Sequence, residues 1–524
     1  MTESSFSRVG VVGLGTMGAG IAEVLARGGL AVVGVEVDQD ALDRGRGHLE
    51  VSTGRAVRRG RLTEEAQREI LGRTVLSVDF AELGDCDLVI EAVPERLDLK
   101  RRVFAELDRV CRDDAVLATN TSSLSVTDIA VSTGRPTKIV GVHFFNPAPV
   151  MKLVEVIRTV LTEPDAVARV AGLVEALGKT PVTVGDRAGF VANRLLFGYL
   201  NQAVAMLESG HATRDDIDAA MTAGAGLPMG PFTLMDLIGL DTCQGVLDAI
   251  HAETRERRHA ASPLLRELVT AGLLGRKTGR GFYPHDGTAA DAPAAPSGPP
   301  PVVGVVGVGP LADAVAALCE RAGAPVRDSA ADLASCELIV EAAEDAEAGR
   351  ALLSAAARAA KPGTPLAVTS TGGSVIGQAM AVGRPADVVG LSLPDPAGTL
   401  AEIAVTVATA PDVADRALDA VRRLGLTAVR CRDRAGFIVD ALRFPYLNDA
   451  AAMLGAGYAD ADSIDAAMTL GCGYPSGPIA DLDRLGLDRA VTVLTALHTE
   501  TRDPSLAPDP LLTEHATAAK RLRA

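Results

Sequence analysis

Two groups of residues in this 524-residue chain are placed to do chemistry. His143, in GVHFFNPAPVMKLVEVI, ends an apolar run from Lys138 to Val142, and Glu155 follows in a second apolar stretch. An imidazole held against a buried carboxylate keeps one tautomer, accepts a proton and shares the charge that results. A hydrogen-bonded core histidine beside Phe144 and Phe145 is the competing reading of the same residues. The second group is a glycine-rich turn, Gly13-Leu14-Gly15-Thr16-Met17-Gly18, with Glu36 downstream.

The elements around that turn give it meaning. Val9–Val12 reads as a short buried strand and Ala19–Arg27 as a helix, so the turn joins a strand to a helix N-terminus. There Gly13 permits the tight bend, Gly15 lets a pyrophosphate reach the backbone, and Gly18 lets helix and strand pack closely. The helix start offers free N–H groups to phosphate. Thr16 and Met17 belong to the same cradle. A second strand, Ala31–Val35, ends in Glu36, at the spacing of a ribose 2′-hydroxyl acceptor. A 2′-phosphate beside that carboxylate would be repelled by roughly 4 kcal/mol at 4 Å and an effective dielectric of 20. No Arg or Lys directly follows Glu36, so NAD is expected over NADP. The alternatives are a connecting turn and a glutamate that only ends an exposed strand.

His143 should lie at the carboxyl edge of the same sheet, where ligands of open α/β sheets collect. The chain then repeats itself. DRAGFVANRLLFGYLNQAVAML, from Asp186, matches DRAGFIVDALRFPYLNDAAAML, from Asp433. DDIDAAMTAGAGLPMGPF matches DSIDAAMTLGCGYPSGPI. Both stretches carry apolar residues at helical spacing. Each follows a stretch of β-branched apolar runs alternating with helical patterns, which indicates a parallel sheet. The expected fold is an α/β Rossmann domain plus an all-α C-terminal domain, the pair repeated in degenerate form. The expected segments are 1–185 and 186–283, a Pro/Ala-rich linker at 284–301, then 302–432 and 433–524.

Composition narrows the class. An apolar fraction of 48% with 23% charged residues suits a soluble globular protein. A formal charge of −16 argues against a general nucleic-acid binder. The seven cysteines lack paired spacing, so reduced thiols and no zinc or other metal are expected. The first residues do not read as a signal peptide, and no apolar run is long enough for a bilayer. A cytoplasmic protein without a membrane partner is expected.

Seven segments in the first half carry a resemblance: GLGTMGAGIA, DLVIEAVPERLDLK, TNTSSLSVTDIA, GVHFFNPAPVMKLVEVI, DRAGFVANRLL, GAGLPMGPFTLMDLIGLD and GRKTGRGFY. Spread over residues 8–283, they resemble the L-3-hydroxyacyl-CoA dehydrogenase family. The resemblance implies NAD-dependent oxidation of an (S)-3-hydroxyacyl-CoA to the 3-oxoacyl-CoA. It makes His143 the base and Glu155 its acidic partner, with Ser122 and Asn193 holding the reacting end of the substrate and Asn146 helping. Glu95, Lys100, Asn120 and Ser122 become cofactor-side contacts. Arg58 and Arg61 become candidates for the coenzyme A phosphates, against a solvated basic turn. From the residues alone, Ser122 could instead cap a helix starting near Leu124, and Glu95 with Lys100 could be a solvated helix pair.

The second half keeps the framework and loses the chemistry. Gly307-Val308-Gly309-Pro310-Leu311-Ala312 inserts a proline, which removes one phosphate-facing N–H. Gly372 stands opposite Ser122, Ser392 opposite His143 and Asp440 opposite Asn193. Glu402 matches Glu155 if two residues are gapped; without the gap Ala404 does. The duplicated plan is similar to that of bacterial phenylacetate-degradation dehydrogenases, which implies 3-hydroxyadipyl-CoA as a substrate beside 3-hydroxybutyryl-CoA. A monomer with an internal pseudo-dimer or a homodimer is expected. Two other readings are a 3-hydroxyisobutyrate-type dehydrogenase, disfavoured because the helix after Gly189 carries Asn193 and no lysine, and a non-catalytic NAD-binding homologue, disfavoured by the intact His143, Glu155, Ser122 and Asn193.

Overall fold

The structure is a computed structural model, and it describes residues 6–287, 298–343, 346–369, 373–395 and 397–523. The expected linker at 284–301 lies mostly outside these residues. The chain forms two compact units, and neither follows chain order. The first combines residues up to 196 with 249–255 and 453–480; the second takes 197–248, 256–452 and 481 onward.

The first unit is built on an eight-stranded sheet. Its strands are β1 (Arg8–Val12), β2 (Ala31–Val35), β3 (Thr74–Ser77), β4 (Leu88–Glu91), β5 (Val116–Thr119), β6 (Ile139–Phe144), β7 (Leu153–Arg158) and β8 (Thr180–Gly185). Their order is β3-β2-β1-β4-β5-β6-β7-β8. Val9, Val11, Ile90, Val116 and Val140 bury completely or nearly so, as β-branched strands covered on both faces must. The sheet departs from the all-parallel expectation at one place. β6 and β7 pair antiparallel, and β8 then follows β7 in parallel. Residues 145–152 are too few for a helical crossover, which takes about a dozen, so the chain turns back as a hairpin.

Helix α1 (Thr16–Arg27) starts inside the glycine turn, three residues earlier than the sequence pattern indicates. Helices α2 (Gln39–Arg58) and α3 (Glu64–Gly72) form the insertion between β2 and β3. Asp38 and Thr63 cap them, accepting from Ala41 N and Ala66 N. Helix α4 (Leu97–Val110) links β4 to β5.

The second unit contains a seven-stranded sheet: β9 (Val303–Val306), β10 (Val326–Arg327), β11 (Leu338–Glu341), β12 (Leu366–Val368), β13 (Val388–Ser392), β14 (Leu400–Val405) and β15 (Thr427–Arg432). The order β10-β9-β11-β12-β13-β14-β15 repeats the first without a β3 counterpart, and β10 shrinks to two residues. Pro310 occupies the first turn of its helix, Pro310–Ala322, where a missing N–H breaks no intrahelical bond.

The duplicated IDAAM segments serve one capping role in each unit. Asp218 accepts from Phe232 N and Thr233 N at 2.9 and 3.0 Å. Asp465 accepts from Ile479 N and Ala480 N at 2.7 and 3.1 Å. A Cβ on Gly230 or Gly477 would lie 2.2 Å from the capping aspartate, so glycine is required at both.

Candidate active site

The glycine turn does what its spacing predicts. Gly13 has φ +86°, and a Cβ on Gly18 would lie 1.8 Å from Gly13 O. Nothing lies within 4 Å of a Cβ on Gly15, which leaves that backbone open to a ligand. A cavity of about 860 Å³ sits over the turn, lined by Gly13, Thr16, Met17 and Glu36. Glu36 is oriented by backbone donors: Leu14 N at 2.6 Å and Val37 N at 3.0 Å. These features fit the pyrophosphate and ribose of NAD. Arg44 and His48 of α2 also line the cavity. The sequence reading missed them, because it looked for a basic residue directly after Glu36 and these arrive one and two turns into the next helix.

An ion-paired floor lies at the carboxyl ends of β4 and β5. Lys100 is 0% exposed and donates to both oxygens of Glu91, at 2.7 and 3.0 Å, and to Asn120 O at 3.1 Å. Its ammonium lies 3.5 Å from Glu95. A solvated Glu95–Lys100 helix pair is therefore excluded. Glu95 accepts from Thr121 Oγ1, Ser122 N and Ser123 N at 2.6, 2.9 and 3.1 Å. Burial presses the Glu95 carboxyl toward protonation, but Lys100 and these donors outweigh it and hold its pKa below the ordinary value. Asn120 Oδ1 accepts from Phe144 N at 3.0 Å, tying the TNTSS loop to the end of β6. Glu91 went unnoticed in the sequence, although a charge ending the apolar run DLVI was its signal.

His143 lies within β6, one residue before its end, directly opposite Glu155 on β7. Its Nδ1 is 2.7 Å from Glu155 Oε2 and its Nε2 is 3.0 Å from Ser122 Oγ. A carboxylate only accepts, so Nδ1 carries the hydrogen and the Nε2 lone pair faces the serine. Glu155 is fully buried, and its Oε1 accepts from Val191 N and Ala192 N at 3.1 and 3.1 Å. Phe145 and Phe190 flank the imidazole, with ring centroids at 4.5 and 5.7 Å. This is not a histidine satisfied by core backbone; its ring nitrogens face the side chains of Glu155 and Ser122. Nor does Ser122 cap a helix. The nearest helix is Val126–Ala130, capped by Ser125.

Asn193 is half-buried one residue beyond Ala192, at the start of the helix Ala192–Glu208. Asn146 is exposed on the β6–β7 connection, ahead of the cis bond to Pro147. Arg58 and Arg61 are exposed at the α2–α3 turn. Asp186, of the repeated DRAGF motif, is a further residue the sequence reading passed over. It accepts from Val126 N and Thr127 N at 3.0 and 2.7 Å, fixing the helix that follows Ser122.

In the second unit Ser392 pairs with Glu402 as His143 pairs with Glu155, so the gapped alignment is the structural one. Glu402 Oε1 accepts from Ile438 N and Val439 N, both at 2.9 Å, as Glu155 does from its own helix start. Asp440 is tied up by Arg443 and Arg489 at 3.0 and 2.8 Å. Gly372, the counterpart of Ser122, lies outside the described residues.

A glycine cradle with a ribose acceptor and an imidazole at the sheet edge defines a dinucleotide-dependent dehydrogenase. Family comparison makes the class specific. Residues 8–187 and 326–434 match the 3-hydroxyacyl-CoA dehydrogenase NAD-binding domain, and 189–285 and 436–523 match the C-terminal domain of the same family. The chain belongs to the 3-hydroxyacyl-CoA dehydrogenase family and is an NAD-binding oxidoreductase of that class. It is 34% identical over 97% of both chains to a 3-hydroxyadipyl-CoA dehydrogenase of Escherichia coli K12. Its first half is 46% identical to a 3-hydroxybutyryl-CoA dehydrogenase of Mycobacterium tuberculosis H37Rv, covering 54% of this chain and 99% of that one. The crystal structure of a 3-hydroxybutyryl-CoA dehydrogenase from E. coli K12 superposes with a TM-score of 0.81 at 32% identity, covering 98% of this chain and 99% of that one. Among the described residues no helix is long and apolar enough to cross a membrane.

Proposed function

We propose that the chain oxidises the (S)-3-hydroxyl of a short or dicarboxylic acyl-CoA, and that its first half alone carries the chemistry. The observation behind this is the His143 ring, bridged between Glu155 at 2.7 Å and Ser122 at 3.0 Å, set against Ser392 in the second half. NAD supplies the acceptor for the hydride that leaves carbon 3. The substrate hydroxyl takes the place beside Nε2 that Ser122 Oγ marks. His143 accepts its proton and becomes an imidazolium. Glu155, already hydrogen-bonded to Nδ1, stabilises that charge without moving. In the reductive direction the imidazolium returns the proton to the 3-oxo oxygen. Ser122, Asn193 and Asn146 orient the oxygen and the thioester. Glu95, Lys100 and Asn120 hold the loop that presents Ser122.

The exposed Arg58 and Arg61 are the basic groups proposed to meet the coenzyme A phosphates. Their reversal to Glu should raise KM for the thioester at least tenfold with kcat nearly unchanged. The substrate names of the relatives divide between butyryl and adipyl chains, so both belong to the proposal. The five sequence segments, cytoplasmic location and a monomer with an internal pseudo-dimer or a homodimer belong to it too. NADH oxidation with 3-oxobutyryl- and 3-oxoadipyl-CoA tests it. Activity on neither thioester, or full activity in His143→Gln, would overturn it.

A further inference from the structure

Residues 453–480 lie in the degenerate half of the chain but in the same compact unit as the first sheet. The helix Ala461–Ala466 lies on β8, and the π-helical turn Ala467–Gly471 lies on β7. At the end of that turn the bare Cα of Gly471 meets two side chains of the first half. A Cβ there would come 2.7 Å from Leu153 Cδ2 and 3.4–3.5 Å from the ring edge of Phe145. Leu153 is fully buried and begins the strand that carries Glu155. Phe145 packs against His143, with ring centroids 4.5 Å apart and planes tilted by 52°.

A neighbouring residue points to the same place. Tyr458 donates from its hydroxyl to Gly185 O at 3.0 Å, clamping the segment to the end of β8. The second unit shows the mirror arrangement in its own interior. A Cβ on Gly224 would lie 2.4 Å from Leu400 Cδ2, and Leu400 begins the strand that carries Glu402. Each glycine ends its IDAAM-containing helix and faces the first leucine of the strand bearing the buried glutamate. In one unit that strand faces a histidine; in the other it faces a serine.

We infer that the turn ending at Gly471 of the degenerate half is a positioning element for the His143–Glu155 pair of the first half. Gly471 seats Leu153 and Phe145, and through them sets the plane of the His143 ring. Gly471 does not touch the reacting atoms; it acts through the pair. The inference rests on His143 being the base.

The test uses the full-length protein. Gly471→Ala adds one methyl against a buried leucine and the Phe145 ring. It should lower kcat at least tenfold while leaving KM for the 3-oxoacyl-CoA and the Kd for NADH within about twofold. Leu153→Val removes the δ-carbon the new methyl meets, so Gly471→Ala/Leu153→Val should recover most of the loss. Tyr458→Phe adds no atom, releases the clamp on Gly185 and should lower kcat several-fold with the same KM. Wild-type kcat in both single variants, a rise in KM alone, or a loss that Leu153→Val does not relieve overturns the inference. Should Gly471→Ala lose NADH binding and so report a lost fold, Tyr458→Phe decides the matter alone. His143→Gln in the same assays separates the two ideas. If it is inactive while Gly471→Ala and Tyr458→Phe are normal, only the positioning role fails. If it is fully active, the base assignment fails.

Discussion

Glu402 stands directly across the antiparallel pair β13–β14 from Ser392, fully buried, in the register that sets Glu155 against His143. The second strand pair keeps the buried glutamate and carries serine where the first carries histidine. Burial pushes this carboxyl up to about 7, against an ordinary 4.5. Because the folded value is the higher one, the protonated acid favours the fold. That contribution is complete below pH 4.5 and is lost as pH rises through 7. A rise of this size corresponds to roughly 3 kcal/mol. Thermal stability of the second half should therefore fall between about pH 4.5 and 7 and level off above, and Glu402→Gln should flatten that slope and stabilise the protein at the alkaline end. An unchanged slope in the variant would show that Glu402 is not its source.

His143→Gln keeps a similar volume and cannot accept the hydroxyl proton at Nε2. Turnover should fall by about 10²–10⁴, the usual contribution of a general base. NADH affinity, followed by fluorescence, should stay within a few-fold, because the glycine cradle is untouched. Glu155→Gln keeps an acceptor for Val191 N and Ala192 N but removes the anion facing Nδ1. It should lower kcat while leaving KM nearly constant.

Lys100 is an ion-pair partner with no exposed surface. Lys100→Met should cost about 3–5 kcal/mol, because Glu91 is left as an uncompensated buried charge. Lys100→Met/Glu91→Gln should recover much of it, and chemical denaturation of both variants measures the difference. Additive losses would mean that the pair is not coupled.

Glu36→Ser removes the carboxylate from a cavity that Arg44 and His48 also line. The affinity for NADH should fall and that for NADPH should rise, shifting the preference by about 10²-fold, below the limit set by unscreened repulsion. Titration of both nucleotides reads the ratio directly. An unchanged ratio would remove Glu36 from cofactor selection.

Periodicity and spacing carried the backbone of the molecule. β2 ends at Val35 as read, and the glycine turn opens α1. The Ser122–His143–Glu155 line was legible only through the family motifs, because its members approach by strand register rather than by sequence distance. Where local pattern was silent, the reason lies in long-range geometry. The antiparallel turn at β7 follows from a short connection. Lys100 looked solvated because helical spacing cannot report that Glu91, on another element, draws its ammonium into the interior. The packing of Gly471 on Leu153 joins residues more than three hundred positions apart. No window along the chain contains both.

The crossed layout of the two compact units has a consequence for how the enzyme responds to dilution. A covering turn borrowed from a separate molecule departs when protein becomes scarce. Here it belongs to the same chain as the strand it covers, so the contact is intramolecular and does not depend on protein concentration. Specific activity should thus hold constant down to nanomolar enzyme.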